Sequence, residues 1–308
     1  MYRKIIVGYD DSEQAKDALA LGRDLKDATG AELVVAGVAE YDARAPAAGP
    51  GVPPPPSPDT HESLRAAVIG HITQPAEEVG GRAVAVVSTS AARGLEEVGE
   101  EAGGDLIVVG SCHRGRVGRI LAGSVGERLL HGSPCAVAVA PVGFAQRDDR
   151  GIRAVGVGFE GNPEAAAALR AAATLAKTAR ATLRIVAVVR PEPVVYGKGL
   201  GVGPRRAVED AVRESLEERV DWALGSVAEG VTAEGSVLRG DPVETLGEQD
   251  VDLMVVGSRR YGPVRTVLLG GVSLRLIRSA ACPVLVVPRG AASPKETART
   301  SGGEGVPA

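Results

Sequence analysis

The sequence predicts an α/β protein of two tandem three-layer α/β/α domains, each built on a five-stranded parallel sheet. Three observations predict it. Short apolar runs alternate with helical segments through five strands, a pattern that requires parallel pairing by right-handed crossovers. The pattern then repeats. Leu106-Ile107-Val108-Val109 runs into a glycine- and arginine-rich loop closing on Gly123-Ser124, and Leu253-Met254-Val255-Val256 runs with the same spacing into a loop closing on Gly270-Gly271. Finally, 44% of the 308 residues are hydrophobic but only 3% are aromatic, so the cores must be Val, Ala, Leu and Ile, as in buried parallel strands. The length suffices for two domains of ordinary size, each with its own core.

In the first half, Tyr2–Tyr9 reads as a strand ending at Asp10, Asp11 and Ser12, which are suited to start a helix. The helix runs from Glu13 to Thr29 on a stripe of Ala15, Ala18, Leu19, Gly22 and Leu25, and Gly30 ends it. Glu32–Ala39 is the second strand. Residues 43–58, dense in Pro, Ala and Gly, read as an exposed polyproline-like loop. A helix from Thr60 to Val79 is expected to kink or break at Pro75. Arg82–Ser88 is the third strand, and Gly94–Ala102 is a helix with Leu95 and Val98 inward and Glu96, Glu97, Glu100 and Glu101 outward. Leu106–Val109, a helix over Val125–His131 and Ala136–Ala140 complete the half.

The second half restarts at Arg153–Phe159. Glu160 lies 150 residues after Asp10, Val188 lies 150 after Val38, and Gly257 lies 147 after Gly110, so the two copies differ little in length. Helices are expected at Pro163–Thr178 and Arg205–Ala228, with strands at Thr182–Val188, Glu234–Leu238, Leu253–Val256 and Val284–Val287. Domain limits of 1–145 and 151–290 follow, with a polar linker between them and a small, polar, probable-disorder composition over 291–308. The Val- and Ala-rich final strands, Ala136–Ala140 and Val284–Val287, have edges that need cover, which predicts that the halves pack as a pseudo-twofold pair.

A formal charge of −4 argues against nucleic acid as a partner, although Arg114, Arg116 and Arg119 form a local basic patch. The start has no signal-peptide core and no apolar run is long enough to span a membrane, so a cytoplasmic protein with no membrane partner is expected. Three scattered cysteines make no disulfide framework; Cys135 and Cys282, at equivalent places in the repeat, read as small buried residues. Cys112 beside His113 invites a nucleophile or metal reading but has no fixed acid or further ligands nearby in sequence.

An apolar strand followed by Gly, two residues, Gly, nine residues, Gly and Ser/Thr resembles the nucleotide loop of the universal stress protein family. Gly110, Gly123 and Ser124 match, while His113 occupies the second glycine position. In the repeat Gly257 and Gly270 match, while Arg260 and Gly271 depart. The resemblance covers almost the whole chain twice. It implies a Rossmann-like sheet of the adenine-nucleotide α-hydrolase-like group, with strand order 3-2-1-4-5 in each half. Ligands of such sheets bind beyond the carboxyl ends of the strands at the switch point, which would bring Asp10 beside the loop at Gly110.

The resemblance also implies a stress-response regulator that binds ATP, chiefly in the first half. Asp10 would lie near the nucleotide, Val38 against the base, and Gly110, Gly123 and Ser124 on the phosphates; Glu160, Val188, Gly257 and Gly270 would form a weaker second site. Asp10 also reads as a helix cap and Val38 as a core residue. His113 would be an exposed loop residue, an obstruction to phosphate or a donor when protonated. Magnesium would accompany the nucleotide, and an unidentified protein partner or a further homodimer would complete the regulator. No Walker lysine follows the loop and no paired carboxylates are set for water activation, which argues against an enzyme. A slow ATP hydrolase and a nucleotide-free scaffold are the competing readings.

Overall fold

A computed structural model describes residues 2–41, 58–111, 124–133, 135–191, 202–258 and 271–288. The first half comprises β1 (Lys4–Gly8), α1 (Glu13–Thr29), β2 (Glu32–Glu40), α2 (Pro58–Glu78), β3 (Arg82–Ser88), α3 (Ala91–Ala102), β4 (Leu106–Gly110), α4 (Ser124–Gly132) and β5 (Ala136–Ala140). A 3-10 turn at Phe144–Gln146 leads to the second half. There β6 (Ala154–Gly158), α5 (Pro163–Ala179), β7 (Thr182–Val189), α6 (Val202–Ser226), β8 (Ala233–Arg239), α7 (Pro242–Gly247), β9 (Leu253–Gly257), α8 (Gly271–Ser279) and β10 (Val284–Val287) follow the same order.

The strands form one sheet in the order β3-β2-β1-β4-β5-β10-β9-β6-β7-β8. Each half keeps the expected 3-2-1-4-5 order with parallel pairing, and the five-stranded sheets fuse where β5 meets β10 antiparallel, Val137 opposite Val286 and Val139 opposite Val284. These edges are short and fully apolar, so pairing removes exposed backbone and buries side chains on both faces.

Period-two alternation sorts the strand residues into two cores. Ile5, Val7, Leu106 and Val108 face the layer that carries α1, α2, α5 and α6. Ile6, Ile107 and Val109 face the layer that carries α3, α4, α7 and α8. Both cores run through the β5–β10 seam. The Arg278 guanidinium of α8 also donates to Glu127 of α4 across it.

Pro75 does not break α2. The helix continues from Pro58 to Glu78 because Ile72, Ala76 and Val79, at helical spacing, are buried on the sheet, and His71, whose carbonyl loses its amide partner to the proline ring, is on the exposed side. The polyproline-like expectation at 43–57 lies outside the described residues, as does the tail from 291. Glu96 is also not the solvated residue expected: it is half-buried, and burial first, then the charge of Glu100, pushes its carboxyl above its ordinary pKa.

Helix α1 is buried nearly all round, because the chain between the halves folds over its outer side. Asp17, 2% exposed, accepts the amides of Gly143 (3.0 Å) and Ala145 (2.7 Å), and Phe144 between them is buried. One turn further, buried Asp24 accepts a long hydrogen bond of 3.4 Å from the Gly151 amide.

Burial pushes the Asp24 carboxyl above its ordinary pKa, against the smaller opposing pulls of the Gly151 amide, Arg23 and Arg150. The folded state therefore favours its protonated form, so this contribution to stability is complete below the unfolded carboxyl's pKa of about 3.9 and is lost as pH rises through the higher folded value. Asp24→Asn keeps an acceptor for Gly151 without the charge. It should be more stable than the parent in urea denaturation at pH 7, with the difference shrinking as the pH is lowered towards about 3.5.

Candidate functional site

The switch point lies where β1 and β4 are adjacent and their following helices depart to opposite faces. Ser12, not Asp10, caps α1: its hydroxyl oxygen accepts the Ala15 amide at 3.2 Å. Asp10 orients that cap, since its Oδ1 accepts both the Ser12 hydroxyl (2.6 Å) and the Ser12 amide (3.2 Å). The carboxylate is exposed beside the helix start.

Gly110 at the end of β4 sets the distance between strand and helix. A Cβ there would stand 2.0 Å from the carbonyl oxygen of Gln14, so only glycine lets the first turn of α1 press against the strand end. Gly257 repeats this at the end of β9, with a Cβ position 2.5 Å from Glu164 O. Val38 is half-buried near the end of β2, under Gly94 of α3, where a Cβ would meet its Cγ1 at 2.6 Å. Val188, half-buried on β7 opposite Leu238, is its counterpart. Both valines thus pack in the core while standing near the strand ends.

His113, Gly123 and Gly270 lie outside the described residues, as do Cys112, Arg114, Arg116, Arg119 and Arg260. Helix α4 begins at Ser124, one residue before its expected start, and α8 begins at Gly271.

In the second half the strand ends enclose a cavity of about 260 Å³. Its walls are the ends of β6 and β9 and the first turns of α5 and α8, so backbone amides at two helix starts face one space. Glu160 is exposed at its rim and accepts from Asn162 Nδ2 at 3.3 Å, while Asn162 Oδ1 caps α5 through the Ala165 amide at 2.7 Å. The buried Ser273 hydroxyl donates to Gly257 O at 3.1 Å and ties α8 to the strand end.

Two arginines that sequence reasoning had not singled out, Arg190 and Arg275, also line the cavity. Arg275 Nη2 donates to both oxygens of Asp241, at 3.2 and 3.3 Å. Asp241 caps α7 by accepting the amides of Val243 and Glu244. Desolvation works against its charge, but these amides and Arg275 together outweigh it and hold the carboxyl below its ordinary pKa. The cysteines take no part: burial pushes the thiols of Cys135 and Cys282 up to about 11, and Cys135 Sγ donates to Gly104 O at 3.0 Å.

Among the described residues no helix is long and apolar enough to cross a membrane. Comparison with known proteins agrees with the repeat. The model of the universal stress protein family matches residues 1–141 and again residues 151–288. A universal stress protein of Mycobacterium tuberculosis (strain ATCC 25618 / H37Rv) is 30% identical over 206 residues, 65% of this chain and 69% of that protein. One from Bacillus subtilis (strain 168) is 33% identical over 141 residues, covering 42% of this chain and 95% of its own length. The crystal structure of a universal stress protein from Archaeoglobus fulgidus DSM 4304 has the same fold over 93% of this chain and 98% of its own, with a TM-score of 0.62 at 21% identity. With the family pattern present twice in one polypeptide and both copies folded to the same strand order, this chain belongs to the universal stress protein family as a tandem member.

Proposed function

We propose that the chain binds an adenine nucleotide, chiefly ATP in its first half, and acts as a stress-response regulator through ligand-dependent stability and partner binding rather than turnover. The observation that carries this reading is the cleft at the strand ends, where a glycine admits a helix start to close range and a second helix start faces the same space. The first half has the fuller set of matching residues in Asp10, Val38, Gly110, Gly123 and Ser124. The second substitutes Glu160 for Asp10 and Gly271 for Ser124, which lengthens one carboxylate and deletes one hydroxyl donor. Magnesium would accompany the phosphates, with Asp10 the nearest carboxylate of the first half.

ATP at about a hundred times its Kd should add about 2.7 kcal/mol of stability, read as a rise in Tm. Phosphate should not appear at enzyme-like rates. Ser124→Ala should weaken ATP binding by about two- to tenfold in titration calorimetry, the value of one net hydrogen bond. Unchanged affinity in Ser124→Ala with loss in Arg275→Ala would move the principal site to the second half. Phosphate release abolished by Asp10→Ala would make the protein a hydrolase, and no thermal shift with any nucleotide would make it a scaffold.

A further inference from the structure

The two clefts differ in sign at one position. By the 150-residue offset that relates Val38 to Val188, Glu40 at the end of β2 corresponds to Arg190, which follows β7. In the first half Glu40 Oε1 accepts the Ala91 amide at 2.6 Å and so closes the start of α3 with a negative charge. In the second half that duty passes to Asp241, which caps α7, and Arg190 is exposed on the cavity wall with no ion pair to a described residue.

The cavity consequently has a cation from each of two directions. Arg190 stands at the β7 end, near the position of Val188, and Arg275 stands on the second turn of α8. Two carboxylates, Glu160 and Glu164, line the same space from the α5 side. A single unbroken run of phosphates would set charge against those carboxylates, whereas two separate anionic groups could each meet one guanidinium. The position at the end of the second strand has a known physical meaning in α/β nucleotide sheets: a carboxylate there suits the ribose hydroxyls, and an arginine nearby accommodates a ribose phosphate.

We propose that the second-half cleft is selective for a nucleotide carrying a phosphate on its ribose in addition to the 5′ phosphate, while the first-half cleft takes nucleotides with a free ribose diol. This rests on the nucleotide reading above and divides it between the halves. Arg190 is the specificity-determining residue: its guanidinium meets the ribose phosphate, and the start of α8 with Arg275 meets the 5′ phosphate.

The test is titration calorimetry of the full chain with AMP, adenosine 2′,5′-bisphosphate, adenosine 3′,5′-bisphosphate and inorganic phosphate. One of the bisphosphates should bind about tenfold more tightly than AMP, the strength of one charge-assisted contact in a partly exposed site. Arg190→Ala should erase that preference and Arg190→Glu should reverse it, while far-ultraviolet circular dichroism stays that of the parent because Arg190 is exposed. A preference that survives Arg190→Glu, equal affinity for AMP and both bisphosphates, or full competition by inorganic phosphate at the same concentration would overturn the proposal. ATP binding without bisphosphate discrimination would overturn this proposal alone; no binding of any nucleotide, ATP included, would overturn the underlying reading as well.

Discussion

Gly110→Val is expected to cost about 3 kcal/mol or more, at the upper end for overpacking. The obstacle is backbone: the new Cβ would stand 2.0 Å from Gln14 O and 2.6 Å from Gln14 C, within the first turn of α1. A side chain in that place could rotate away, but a helix turn held by the Ser12 cap can yield only by moving the helix off the sheet. Gly257→Val meets Glu164 O at 2.5 Å and should cost less, and Gly8→Ala, which meets only Leu95 Cδ1 at 2.9 Å, least of all. Urea midpoints of the three variants should follow that order. A Gly110→Val protein as stable as Gly8→Ala would show that the close approach of α1 to β4 is not what the glycine provides.

Asp17→Ala should also cost about 3 kcal/mol, because it leaves two amides, those of Gly143 and Ala145, without their acceptor in a buried place. Asp17→Asn retains one acceptor oxygen and should lose roughly half as much. Amide hydrogen exchange distinguishes this from a general loosening of the helix. Exchange at Gly143 and Ala145 should accelerate more than at Leu21 or Leu25, and equal acceleration throughout α1 would refute the clasp.

The parts of the fold that depend on local pattern were legible in the chain. The strands at Leu106 and Leu253 are continuous apolar runs bounded by glycine, and such runs leave little alternative to a buried strand. Pro75 was misread because a local rule was applied to a helix whose position is fixed by Ile72, Ala76 and Val79 on the sheet. Asp17 and Asp24 were illegible for a different reason. A carboxylate on a helix ordinarily signals solvent, and the partners that bring these two inside are main-chain amides over 120 positions away, which leave no signature in residue type.

The candidate site divides in the same way. The loop spacing and the strand-end glycines could be read directly, and the structure adds why Gly110 and Gly257 must be glycines. Arg190 was overlooked although the offset that aligned Val38 with Val188 also aligns it with Glu40; its meaning depends on which residues cap the neighbouring helix, Glu40 in one half and Asp241 in the other. His113, Gly123 and Gly270 belong to loops whose conformation no periodicity dictates.

The β5–β10 seam is made within one chain, so its two sides meet at an effective concentration fixed by the short connection that Asp17 and Asp24 hold down. Two separate subunits joined by the same strands would part on dilution; these cannot, and their assembly does not depend on how much protein a cell makes. Freed from that dependence, the two sides also need not match. Glu127 and Arg278 form a pair whose repeat-related positions hold Leu274 and His131, so two first halves or two second halves brought together would lack one charge of the pair. Each half recognises the other more completely than it could recognise itself.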